Sequence, residues 1–213
     1  MKLRVTLLAG AFALLASSLA HAQASDGSAG TDYAVKAERR SDFTAGAQLG
    51  FGFGRASAYP NEIDKIDTAG YRQNTKLGVG SGALVWLGVA FNDYLSFGLG
   101  GGSLSLSGND RDASAGMFIF HVDAYPLFGV SPALKDLGFF GNFGTGPLTI
   151  KGGDREDADG GLLGYVEAGA VYERLRLWRF AIGPTASVIH MWSDSGQLTS
   201  GLVGLRVAVY SGP

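Results

Sequence analysis

The sequence predicts an all-β chain, an eight-stranded antiparallel up-and-down transmembrane β-barrel over residues 43–210. Three observations predict it: a two-residue hydrophobic period, strand-like runs too long for an ordinary sheet, and aromatic residues gathered at one set of turns. The period starts at Phe43. Phe43, Ala45, Ala47, Leu49, Phe51 and Phe53 alternate with small or polar residues through Gly54, as one apolar face of a strand requires. Seven further runs follow at about 76–91, 95–107, 114–127, 137–150, 161–173, 177–191 and 198–210. Most are longer than the five or six residues usual in globular sheets, and they suit a tilted strand crossing a bilayer.

The first 22 residues read as a secretory signal peptide. Lys2 and Arg4 precede a mostly apolar run from Val5 to Leu19, and Ala20-His21-Ala22 supplies a small-x-small cleavage box. Residues 23–42 are small, polar and charged with no sustained period, and read as a flexible N-terminal tail. Removing Lys2 and Arg4 from the 17 basic residues leaves 15 against 19 acidic ones, a net charge near −4. That argues against nucleic acid, which wants a basic face. Cysteine is absent, so no disulfide framework holds the fold. Glycine is the outlier, 34 of 213 residues, about twice the usual ~7%. With 46% hydrophobic content, disorder does not explain it.

Connections fall into two sets. Residues 55–75, 108–113, 151–160 and 192–197 are polar and charged, and are expected to be the long outer loops. The others, at Asn92-Asp93, 129–136 and 174–176, are expected to be tight. Aromatic residues flank this second set: Phe91, Tyr94, Tyr125, Phe128, Tyr172 and Trp178, with Tyr210 at the same level. Loops at one end and an aromatic girdle at the other is the layout of a membrane barrel. With the apolar face outward, Phe118, Phe120 and Val122 point out, and Ile119, His121, Asp123 and Tyr125 point in. By the same count Glu167, Glu173, Arg179 and Arg206 point in, so that six residues (His121, Asp123, Glu167, Glu173, Arg179, Arg206) share an interior ionic network. Buried charges must be paired, so the network is expected to plug the lumen. Gly100-Gly101-Gly102 moves the apolar set from Phe97 and Leu99 to Leu104 and Leu106, which predicts a bulge. Pro184 in mid-strand predicts another.

The signal peptide, the eight amphipathic strands, the stretch FHVDAYPLF and the closing GLVGLRVAVY resemble the small outer-membrane barrels of the OmpA/OmpX-like family. The resemblance covers 43–210 and implies residence in the outer membrane of a Gram-negative bacterium, with outer-membrane lipids and the barrel-assembly machinery as partners. Relatives on this architecture are adhesins, membrane-stabilising proteins or lipid A-modifying enzymes, so architecture alone does not choose a function. One departure from the family stands at the end of the sequence. Tyr210 must serve as the terminal aromatic, although Ser211-Gly212-Pro213 follows it.

The residues favour a structural or surface-interaction role, with an extracellular ligand at the loops and a monomeric state. A lipid- or small-solute-binding barrel, in the membrane or lipocalin-like, is the alternative. A hydrolase would need a base beside a nucleophile. His190 and Ser193 resemble the His-x-Ser-Asn stretch of lipid A deacylases, but at i and i+3 a regular strand turns them apart. The loop GDREDADG departs from EF-hand spacing, two mature histidines do not make a zinc site, and no cofactor is expected.

Overall fold

The computed structural model describes residues 39–153 and 157–212. The signal peptide and most of the expected tail therefore lie outside the described residues. Eight long strands form: β1 (Asp42–Ala58), β2 (Gly78–Asn92), β3 (Leu95–Gly108), β4 (Arg111–Ala124), β5 (Leu137–Lys151), β6 (Ala158–Tyr172), β7 (Phe180–Trp192) and β8 (Gly196–Tyr210). Two short segments, Gln73–Asn74 and Leu175–Leu177, pair with β1 and β7. Each long strand pairs antiparallel with the next, and β8 returns to β1 from Thr44 opposite Tyr210 to Ala58 opposite Gly196. The sheet thus closes and leaves no edge between its long strands.

Antiparallel pairing places Asp42 and Tyr210 at one end, called here the terminal end, and the connections 59–77, 109–110, 152–157 and 193–195 at the other, the loop end. The expected sorting of long and short connections does not hold. Only 59–77 is long at the loop end, while 125–136 is long at the terminal end. Asn109 and Asp110, with φ of 55° and 56°, make the tight two-residue hairpin for which such residues are suited, where a loop over 108–113 was expected.

The wall outside is apolar: Leu49, Phe51, Val85, Leu87, Leu99, Phe118, Phe120, Val203 and Leu205 are all exposed. A closed barrel with such a wall is a membrane-spanning barrel, and its place is an outer membrane. Among the described residues no helix is long and apolar enough to cross a membrane.

The expected bulge in β3 is absent. Pairing with β2 and β4 runs in unbroken register through Gly100, Gly101 and Gly102. Leu104 and Leu106 therefore face inward and are buried, while Ser103, Ser105 and Ser107 take the outside. The register of β7 with β8 passes Pro184 opposite Leu205 without a shift, but on the β6 side the expected irregularity is present, residues 172–174 standing opposite only 183 and 184. On its other side, β7 pairs with β6 only from Gly164–Trp192 to Val171–Thr185, and pairing resumes at Leu175–Ile182. Pro184 sits in that gap, where its missing N–H is not asked for. Another irregularity occurs beside Pro147, where the β5–β6 register shifts between Pro147 and Thr149.

Candidate functional site: the filled lumen

The lumen has two parts, one above the other. Toward the loop end it is apolar, filled by Leu104, Leu106, Met117, Ile119, Leu148, Ile150, Leu163, Met191 and Leu198. Toward the terminal end it is ionic. The inward parity of β4 brings His121 and Asp123 together, two residues apart on one face, and β8 delivers Arg206 opposite them. Arg206 Nη1 and Nη2 donate to Asp123 Oδ1 and Oδ2 at 2.6 and 2.5 Å. This bidentate fork fixes the carboxylate in direction as well as charge. Ser96 Oγ donates to Asp123 Oδ2 at 3.0 Å, and His121 Nε2 lies 3.0 Å from the same oxygen.

From His121 the chain of contacts climbs toward the apolar half. Asn142 Nδ2 donates to Glu167 Oε2 at 2.7 Å, which turns Asn142 Oδ1 toward His121 Nδ1 at 2.6 Å. Tyr165 OH donates to Glu167 Oε2 at 2.7 Å, and above it begins the dry core. Trp86 packs across the stack, its ring 4.3 Å from that of His121 and 4.5 Å from the Arg206 guanidinium. Gly46 leaves it room: a Cβ there would collide with the Trp86 ring.

Toward the mouth, Glu173 receives Tyr210 OH at 3.2 Å on each oxygen, and Arg206 Nε lies 3.5 Å away. Glu173 also meets Arg40 and, at 3.6 Å, Arg176. Arg39, Arg40 and Ser41, read from the sequence as the end of the tail, sit in this mouth. Both arginine N–H groups donate to Asp93 Oδ1, at 2.7 and 2.9 Å. Asp93 so turns the chain inward, and the Arg40 guanidinium lies 3.3 Å from Glu173 Oε2 and 3.4 Å from the centre of the Tyr125 ring. Burial opposes the charge on Arg40. Tyr125, Glu173 and Tyr210 around it more than offset that, holding the guanidinium above its ordinary value.

Five of the six residues expected in the ionic network are therefore together: His121, Asp123, Glu167, Glu173 and Arg206, all buried. Arg179 is not. It is exposed in a turn, 5.0 Å from the Trp178 ring, because the hairpin reverses at Trp178 and the alternation of β7 starts only at Phe180. Arg40 takes the place expected for it. In the girdle, Phe91 and Trp178 face out, and Tyr94 and Tyr172 are half-buried. Tyr125 and Tyr210 are corrections: both are buried inside the mouth, where their phenols find Glu173 and each other at 3.4 Å.

His190 and Ser193 are apart in role. His190 stacks on Trp192 and bonds Thr199 Oγ1 at 2.9 Å, while Ser193 Oγ bonds Ser195 Oγ at 3.0 Å. Among the described residues, no group of three or more His, Cys, Asp or Glu is placed to hold a metal; Asp154, Arg155 and Glu156 of the acidic loop lie outside them. Most charges of the ionic core meet partners within it, although Arg206 Nε and the Trp86 indole N–H have no hydrogen-bond partner among the described residues, and its side chains fill this half of the lumen.

No family model matches the chain, and no curated protein does. Solved structures similar to it include Neisserial surface protein A, at 11% identity and a TM-score of 0.49, covering 78% of this chain and 96% of that one. The attachment invasion locus protein Ail of Yersinia pestis is similar at 11% identity and a TM-score of 0.46, covering 77% and 98%. The outer membrane protein OprG from Pseudomonas aeruginosa is similar at 12% and 0.41, covering 81% and 98%.

Proposed function

We propose that this outer-membrane barrel has a structural or surface-interaction role, standing in the membrane as a closed post and offering its loops to the outside. The observation that carries the reading is the filled lumen, apolar toward the loops and ionic toward the termini. A pore needs a continuous wet path, and a lipid- or solute-binding barrel needs an open interior. With neither on offer, the wall and the loops are left to engage partners: outer-membrane lipids, the barrel-assembly machinery and an extracellular ligand. The loop 59–77 suits the last. Backbone turns hold it, including Ile66 N–H to Glu62 O at 3.1 Å and Tyr71 N–H to Thr68 O at 3.0 Å, and Ile63 stands 95% exposed at its tip.

The chain has no cysteine, so Ile63→Cys gives a unique label site. On intact cells a membrane-impermeant maleimide labels it if the loop faces outward; labelling only after the outer membrane is opened overturns the orientation. In planar bilayers the purified barrel gives no discrete conductance steps. Regular steps would show a path through the lumen and end the closed-post reading.

A further inference from the structure

We propose that the hairpin of residues 174–180 is a binding site for the headgroup of an anionic phospholipid in the leaflet at the terminal end. The proposal rests on the membrane reading of the wall. The run Arg174-Leu175-Arg176-Leu177-Trp178-Arg179-Phe180 holds three cations and no acid. Leu175–Leu177 pairs back on Phe180–Ile182, which leaves Trp178 and Arg179 as a two-residue turn. Such a turn asks for residues that accept positive φ, usually Asn, Asp or Gly. At the loop end the chain supplies them, Asn109 and Asp110. At the terminal end it places Trp178 at φ 58°, with 82% of the side chain exposed. A bulky residue in that conformation is a cost, and such costs persist where a site uses them.

The surroundings say what the indole meets. Leu175, Leu177 and Phe180 are exposed beside it and continue the apolar wall to its lower limit, with Trp178 at the tip. An indole at the limit of an apolar wall, apolar in body with one N–H, belongs at headgroup depth. The charges then select the headgroup. Arg176 turns inward, donating to Arg39 O at 2.9 Å and lying 3.6 Å from Glu173, and Arg39 pairs with Asp136 at 3.1 Å. Arg174 and Arg179 turn outward, and among the described residues neither has a carboxylate within ion-pair distance. Two unpaired guanidinium forks flanking an interfacial Trp fit a phosphodiester that carries a net negative charge.

The test uses the folded chain in phosphatidylcholine bilayers, with spin-labelled phosphatidylglycerol or phosphatidylcholine as the probe. Electron spin resonance separates lipid slowed against the barrel from free lipid. Phosphatidylglycerol is expected to be enriched at the site by about fivefold for each arginine. The double variant Arg174→Gln, Arg179→Gln brings it to parity, whereas Arg55→Gln with Lys151→Gln at the other rim leaves it enriched. High salt removes the enrichment from the unmodified chain, a readout that needs no variant. Parity in the unmodified chain, or enrichment that survives the double variant, overturns the proposal. If neither probe is slowed at all, the barrel does not insert, and the membrane reading falls with it.

Discussion

Along β3 the chain shows both halves of the barrel in one strand. In its terminal half, Phe97 and Leu99 stand exposed on the wall and Ser96 is buried inside against Asp123. In its loop half, Ser103, Ser105 and Ser107 stand outside, while Leu104 and Leu106 are buried. No register shift separates them. The strand does not turn over; its chemistry does. Next to it, Ser81 and Ser114 extend the hydroxyl surface, with Ser81 and Ser105 Oγ 3.4 Å apart. Below, lipid takes the apolar side chains and the narrow lumen takes the charges. Above, water takes the hydroxyls and the lumen is dry. The comparison teaches that along β3 the outward face passes from apolar to hydroxyl while the lumen behind it passes from charged to apolar, whereas at the loop end of β2 Val79 is still an exposed apolar side chain.

This contrast can be broken at four places. The largest effect is expected at Arg206→Met, which strands Asp123 in the lumen and costs about 4 kcal/mol of stability; adding Asp123→Asn recovers much of it. Urea unfolding of the folded barrel in lipid measures both. In the dry half, Leu106→Ala leaves a cavity without a stranded charge, and costs about 3 kcal/mol in the same assay. On the wall, Leu99→Arg costs about 2 kcal/mol, while Ser105→Arg on the same strand costs less than about 1. Equal costs at 99 and 105 would erase the boundary drawn between lipid and water. The smallest effect is expected at Ser81→Ala, near zero by the same unfolding measurement, because its hydroxyl is met by water as readily as by Ser105.

The two-residue period carried most of the fold: eight strands, their order, and the inward placement of His121, Asp123, Glu167 and Arg206. It also put Tyr125 and Tyr210 on the inward side, and assigning them to the girdle because they lie near turns went against it. What the period could not carry lies where it stops. Arg40 sits in a segment with no alternation, and its place depends on Asp93, 53 residues away in sequence. Arg179 lies one residue before the start of β7, in a turn where strand parity does not yet apply. Leu104 and Leu106 depart from the expected placement for a different reason: on β3 the apolar residues face outward only as far as Leu99, and beyond it the serines do.

The ladder between β6 and β7 has a consequence for force. The junction where the first strand meets the last is often imagined as the weak line of a barrel, but here it is zipped from Thr44–Tyr210 to Ala58–Gly196. The shortest ladder among the long strands is β6–β7, which ends at Val171–Thr185 just before Pro184. Pulled sideways, the cylinder should tear there first, in its own interior, and not where its ends were joined.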